Sequence, residues 1–363
     1  MEDVGMNFDF WKGRRVFLTG HTGFKGSWLT LWLHRLGAEI YGYSLNPPTE
    51  PNLFTVAEVE RCMAVHKIAD VCDRDNLCGA IQAARPEIIF HMAAQPLVRY
   101  SYAQPLETYS VNVMGTVHLF EAVRRASSVK AVVNITTDKC YENREWVWPY
   151  RENEPMGGYD PYSSSKGCSE LITAAYRRSF FDPAGICVAS ARAGNVIGGG
   201  DWSTDRLIPD ILQSISENKK VMIRNPHSIR PWQFVLEPLR GYLLLAEKLY
   251  TDGERFADAW NFGPSADDVK SVQWIVETLL RAFGKDGWWT QDPTDHPHEA
   301  NSLRLDCSKA KSLLKWEPGV QIATALQKIE QWHRAYLNHE DMKAFSIRQI
   351  AEYQERVECS SRS

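Results

Sequence analysis

Near the start of the chain an apolar run, Arg14-Arg15-Val16-Phe17-Leu18-Thr19, leads into Gly20-His21-Thr22-Gly23-Phe24-Lys25-Gly26 and then into a helical pattern from Ser27 to Leu36. This is a strand, a glycine turn and a helix, and few folds begin that way. Three glycines at this spacing allow a tight turn, close approach of backbone to a pyrophosphate, and tight packing of helix on strand. The helix start then offers N–H groups and positive dipole to phosphates. Gly20, Thr22, Gly23, Phe24, Lys25 and Gly26 are therefore expected to cradle a dinucleotide.

Strand and helix keep alternating after this turn. Glu39 to Ser44 reads as a second strand, Ala64 to Ala69 as a short third one, and Asp73 caps a helix through Ala84. Glu87 to Ala94 reads as a buried strand whose small end residues, Ala93 and Ala94, leave room for a cofactor. A helical stretch from Leu106 to Ala126 follows, then the strand Ala131 to Thr136. Such alternation predicts an α/β fold, a Rossmann doubly wound parallel sheet. A chain of 363 residues has length for roughly two domains at about 150 residues each. We expect 13–200 plus 235–263 to form the cofactor domain and 201–234 plus 264–340 a smaller mixed α/β substrate domain. The charged segment 341–363 reads as a surface tail helix with a frayed end.

The second strand carries no acidic residue at its end to hold an adenosine ribose, and no arginine there to claim a 2′-phosphate, which favours NAD over NADP. Asp70 and Val71, after the third strand, are expected near the adenine end.

Thr137-Asp138-Lys139 puts a hydroxyl, a carboxyl and an amine in succession at a strand end, where open α/β sheets keep their ligands. Downstream, Tyr162 and Lys166 are four apart on a helical segment from Ser163 to Arg178 and so share a face. A phenol titrates near 10, so a tyrosine base at neutral pH needs a nearby cation to favour its anion.

Gly20-x-x-Gly23-x-x-Gly26, Thr137 and Tyr162-x-x-x-Lys166, in this order, resemble the extended short-chain dehydrogenase/reductases that act on nucleotide sugars. The likeness covers nearly the whole chain. It implies catalysis by Thr137, Asp138, Lys139, Tyr162 and Lys166, with Tyr162 and Lys166 also touching the cofactor. An acid after the threonine marks the family's 4,6-dehydratases, whereas its 4-epimerases need no such acid and base pair. Lysine at 139, where glutamate is usual, resembles the branch that dehydrates CDP-glucose, as do His21 to Trp28, Leu45 to Thr49 and Arg230-Pro231-Trp232-Gln233. The implied activity is a lyase of deoxysugar and lipopolysaccharide O-antigen biosynthesis, with CDP-glucose as substrate and Asp138 as acid to Lys139 as base. Resemblance also sets Gln95, Arg99, Asn195, Arg206, Arg230 and His298 about the substrate. For Arg206 a plain surface position competes evenly, and Arg224 competes with Arg230 for the diphosphate. Phe234 stands where relatives often show histidine.

Composition excludes other classes. With 41 basic against 45 acidic residues, a net charge of −4 gives no footprint for nucleic acid or an anionic membrane. No apolar run approaches the roughly 18 residues that span a bilayer. Eight scattered cysteines and the absence of a basic-then-apolar leader predict a cytoplasmic protein with free thiols, Cys140 being a half-buried structural one. His296-x-His298 lacks a third ligand, so no metal is expected. The helices 106–126 and 163–178 would suit an intersubunit bundle, as a homodimer or homotetramer.

Overall fold

Every strand of the central sheet runs parallel, because each is reached through a helix that crosses one face and returns. The computed structural model describes residues 7–294 and 303–362. In chain order the sheet half reads β1 (Arg15–Thr19), α1 (Phe24–Arg35), β2 (Glu39–Ser44), α2 (Leu53–Val56), β3 (Val65–Ile68), α3 (Arg74–Ala84) and β4 (Ile88–His91). Then come α4 (Val98–Ala103), α5 (Pro105–Tyr109), a π turn (Ser110–Met114), α6 (Gly115–Val123), β5 (Ala131–Ile135), α7 (Pro161–Tyr176), α8 (Asp182–Ala184) and β6 (Cys187–Ala193). The strand order is β3-β2-β1-β4-β5-β6-β11, with β11 (Ala259–Phe262) at the far edge. The order reverses between β1 and β4, which is where such sheets open a crevice at the strands' carboxyl ends.

Period-two alternation sorts the strands' side chains onto two cores. From β1, Val16 and Leu18 join the core under α1 and α10 (Leu236–Thr251), whereas Phe17 joins the one under α3 and α6. Trp28 and Trp32 of α1 are fully buried, and each such side chain contributes about 1.5–3 kcal/mol on leaving water. Phe8, Phe10 and Trp11 of the lead pack on this core, Trp11 stacking on Phe90 at 6.1 Å between centroids.

The remainder is built of short pairs and helices: β7 (Asn195–Ile197) beside β10 (Trp232–Phe234), β8 (Val221–Ile223) beside β13 (Trp289–Gln291), and β9 (Ile229–Arg230) beside β12 (Lys270–Ser271). Around them lie α9 (Leu207–Ser216), α11 (Val272–Ala282), α12 (Ile322–Leu337) and α13 (Met342–Arg362). The helix 236–251 is buried nearly all round, since it lies between the sheet and this second layer. One expectation needs correcting. The charged tail is packed rather than superficial: Ile350 and Tyr353 of α13 are fully buried, and Tyr353 meets Trp32 edge-on at 5.6 Å. Its Tyr353 hydroxyl donates to Glu237 Oε2 at 2.8 Å, while the other oxygen accepts from the Gly319 and Val320 amides at 2.9 and 2.6 Å. No helix among the described residues is long and apolar enough to cross a membrane.

Candidate active site

Strand β5 is buried along its length and stops at Ile135; Thr137 is still extended, and a 3-10 turn over Asp138–Cys140 bends the chain away. The bend brings Thr137 and Lys139 to the wall of one cleft, with Asp138 buried between them in sequence. Thr137 Oγ1 donates to Asp138 Oδ1 at 3.0 Å and caps the turn by accepting from the Lys139 amide at 3.4 Å. Asp138 is buried, and that burial raises its carboxyl above the usual range against the pull of Lys139, Thr137 and Arg230. Its position depends on a glycine: a Cβ at Gly194 would lie 2.9 Å from Asp138 Oδ2 and 2.7 Å from Pro231 Cγ. Cys140 is fully rather than half buried, and its thiol is held well above the ordinary range by desolvation.

Helix α7 starts beside this turn because Asp160 caps it, accepting from the Ser163 amide at 2.9 Å, with Pro161 at the first position. Tyr162 and Lys166 thereby reach the end of β5, and both are buried. Burial pushes the phenol up to about 12, outweighing the Thr137 hydroxyl and the Arg206 charge that pull it down. Lys166 Nζ donates to the Ile135 carbonyl at 3.3 Å, and burial pulls its ammonium down to about 8. The one-face spacing thus holds, while the cation is tied to the strand end rather than hydrogen-bonded to the phenol.

The three glycines of the turn take separate tasks. Gly20 has φ +76° and abuts the end of β4, where a Cβ would meet Ala93 N at 2.7 Å. At Gly26 a Cβ would meet Gly20 O at 2.1 Å, so this residue fits helix to strand. Gly23 meets nothing closer than Gly20 O at 3.4 Å, and it caps α1 without any side-chain acceptor. The helix start is therefore open to an anion, as a dinucleotide's pyrophosphate requires. The Thr22 hydroxyl is engaged with Ser44 Oγ and Leu45 O, both at 2.8 Å, and pins the turn to β2. Asp70 Oδ1 accepts from the Cys72 amide at 2.9 Å, Val71 is buried in the sheet core, and Ala93 and Ala94 line the exit of β4.

One cleft collects Thr137, Lys139, Tyr162, Lys25, Arg99, Asn195, Arg206 and Arg230. Arg206 is no bare surface residue, since it caps α9 and pairs with the buried Asp201 at 3.3 Å. Arg224 lines the cleft as well, pairing with Asp205 at 2.7 Å, and Arg99 pairs with that same carboxylate at 3.0 Å. Gln95 is buried and committed internally: its amide donates to Thr108 Oγ1 and the Leu97 carbonyl at 2.9 and 3.1 Å. Asn112 is buried and holds the Gln95 backbone from both sides at 2.9 and 3.0 Å. His298 lies outside the described residues.

Sequence reasoning gave Lys25 a place in the turn without a task for its amine. That amine stands 6.0 Å from the Tyr242 ring, and burial, with the charges of Lys166 and Arg206, pulls it down to about 7. A charged residue in the first turn of an otherwise buried helix was the available signal. Beneath the site, Glu170 and Arg192 form a fully buried pair at 2.7 Å, with Ser190 donating to the same carboxylate at 2.6 Å.

Three comparisons bear on this geometry. A family model described as GDP-mannose 4,6 dehydratase matches residues 17–329. A CDP-glucose 4,6-dehydratase of Salmonella typhimurium is 57% identical over 350 residues, covering 95% of this chain and 97% of that protein. Among solved structures, a dTDP-glucose 4,6-dehydratase of Streptomyces venezuelae with NAD bound superposes with a TM-score of 0.78 at 22% identity, over 90% of this chain and 99% of the other. A UDP-glucose 4-epimerase of Thermotoga maritima gives 0.78 at 23% identity, over 89% and 99%.

Proposed function

The chain belongs to the GDP-mannose 4,6-dehydratase family, and from that premise we propose that it is an NAD-dependent lyase converting CDP-glucose to CDP-4-keto-6-deoxyglucose. The observation that carries the reading is an acid and an amine, Asp138 and Lys139, on the strand end that also meets Tyr162. An epimerase has no use for that pair.

The open start of α1 at Gly23, the close-packed Gly20 and Gly26, and the small residues after β4 fit NAD. When bound, NAD would supply the acceptor for the hydride leaving C4 and the donor that returns it to C6. Tyr162 takes the proton of the sugar 4-hydroxyl while Thr137 hydrogen-bonds the same oxygen. Lys166 keeps a cation on the Tyr162 side of the helix. The resulting 4-ketone acidifies the C5 proton, which Lys139 removes. Asp138, whose carboxyl burial raises above the usual range, gives its proton to the departing 6-hydroxyl. Water leaves across C5 and C6; hydride returned to C6 and the proton returned from Lys139 to C5 would then give the 6-methyl group. Arg206 and Arg230, with Asn195, bind the diphosphate.

The reading divides the chain into a cofactor part, 13–200 with 235–263, and a substrate part, 201–234 with 264–340. Self-association as a homodimer or homotetramer is supported by Leu106 and Leu171, which are 81% and 60% exposed on α5 and α7. A cytoplasmic location is supported by free thiols at all eight cysteines, and a role in O-antigen deoxysugar supply by the CDP-glucose enzyme's similarity.

The test incubates the protein and NAD with CDP-, UDP-, dTDP- and GDP-glucose and follows product mass. Loss of one water from CDP-glucose is expected. Isomerisation without mass change overturns the reading.

A further inference from the structure

The cleft is long, and its two ends differ in chemistry. At the sheet end stand Thr137, Lys139 and Tyr162; at the other end the first turn of α9 faces β8, with Leu207, Ile208, Met222 and Ile223 as apolar walls. Arginines 99, 206, 224 and 230 also line the cleft. The charges felt at each end separate them: Tyr162 responds to Arg206, Asp138 and Asp160, whereas Asp210 in α9 responds to Arg224, Asp205, Asp201 and Arg99. Asp210 lines the cleft from the first turn of α9, and Arg224, Asp205, Asp201 and Arg99 are the charges that act on it.

This carboxylate has no task in the mechanism and no hydrogen bond or ion pair among the described residues. The two guanidiniums near it, Arg99 and Arg224, are both paired with Asp205 instead. Burial raises its carboxyl to about 6, so it is ionised, and acceptor-only, at neutral pH. Facing a diphosphate it would repel; the ligand group it suits is a hydrogen-bond donor on a flat, apolar body. Met222, 57% exposed at this end, offers a polarisable surface for the face of such a ring.

We infer that Asp210 selects the nucleotide base, its carboxylate accepting from the exocyclic amino group of cytosine. The inference rests on the CDP-glucose reading. Uracil and thymine present a carbonyl oxygen where cytosine presents N4–H2, so an acceptor-only carboxylate would oppose them. A site built to receive a donor rejects the analogue lacking it because buried polar groups are left unpaired.

The experiment compares wild type with Asp210→Asn, which keeps shape but presents a donor and an acceptor. With NAD present, kcat/KM is measured for CDP-glucose and UDP-glucose, and CMP and UMP are measured as competitive inhibitors. Asp210→Asn is expected to lower kcat/KM for CDP-glucose about 10- to 100-fold, mainly through KM. The CMP over UMP preference should shrink at least about tenfold. Unchanged CMP and UMP preference in a folded variant, with wild type still dehydrating CDP-glucose, overturns the assignment of Asp210 alone. Wild type that dehydrates UDP-glucose and ignores CDP-glucose overturns the function reading as well. Should Asp210→Asn fold poorly, CMP and UMP inhibition of Asp210→Glu decides: the retained carboxylate must preserve the order of preference, and reversal overturns the assignment.

Discussion

Changing Lys139 and Asp138 one at a time separates oxidation at C4 from elimination across C5 and C6. Lys139→Met should keep transient reduction of NAD by CDP-glucose, seen as reduced-cofactor absorbance, while water loss falls about 10²–10⁴-fold, the span of general acid–base effects. Asp138→Asn should do the same for departure of the 6-hydroxyl. Loss of the reduction step together with elimination would show that the pair only shapes the strand end. Lys166 sets a pH dependence. Its folded-state pKa is lowered to about 8, so its charge is present below that value and lost above it. Activity, measured as kcat/KM against pH, should decline above about pH 8, and Lys166→Arg should move that limb upward at a lower maximum. An alkaline limb that stays in place in Lys166→Arg would assign it to another group.

Elements hold these residues through small clearances. Gly194→Ala would drive a methyl group into the space of Asp138 Oδ2 and Pro231 Cγ, at 2.9 and 2.7 Å. Turnover should fall at least about tenfold, since misplacement of an ångström costs on the order of 10²-fold, with NAD binding retained. Full activity in Gly194→Ala would mean that the carboxyl tolerates displacement. Such clearances explain what the sequence could and could not show. The strand–turn–helix at Gly20 and the end of β5 at Thr137 were legible because local chemistry dictates each one: φ above zero, and a bend after an apolar run; α7 was read from Ser163, two residues inside its start at Pro161, because the Asp160 cap went unread. The commitment of Thr22 to β2 and of Gln95 to Thr108 was not legible, because their partners come from distant parts of the chain. The same holds for Arg206, whose exposure turns on Asp201 and the fold of the loop before α9. For Asp210 only the assembled cleft shows a carboxylate without a partner.

Whole-molecule behaviour turns on two surfaces. Leu106 and Leu171 stand out on the α5 and α7 side, where the proposed self-association is set, so Leu106→Glu with Leu171→Glu should lower the mass seen by light scattering to that of a monomer while leaving the melting curve cooperative. An unchanged mass would point to another interface. The second surface is internal, where α13 closes over α1 and α12. Tyr353→Phe removes the hydroxyl donor to a buried carboxylate and should cost about 1–3 kcal/mol, read from denaturant midpoints. Burial already raises the Glu237 carboxyl against Arg240, Tyr353 and two amides, so losing a donor raises it further. A midpoint within error of wild type would make that bond dispensable.

The helix that opens on the glycine turn has its far end against Tyr353 and Gln354, the latter accepting from Arg35 Nε at 2.8 Å. During synthesis the ribosome delivers α1 early and its cover last. Until α13 emerges, a nascent chain exposes the tryptophan face of α1, and the phosphate cradle at the other end of that helix stands on an unfinished support. The support of the phosphate cradle is thus complete only once α13 has closed over α1.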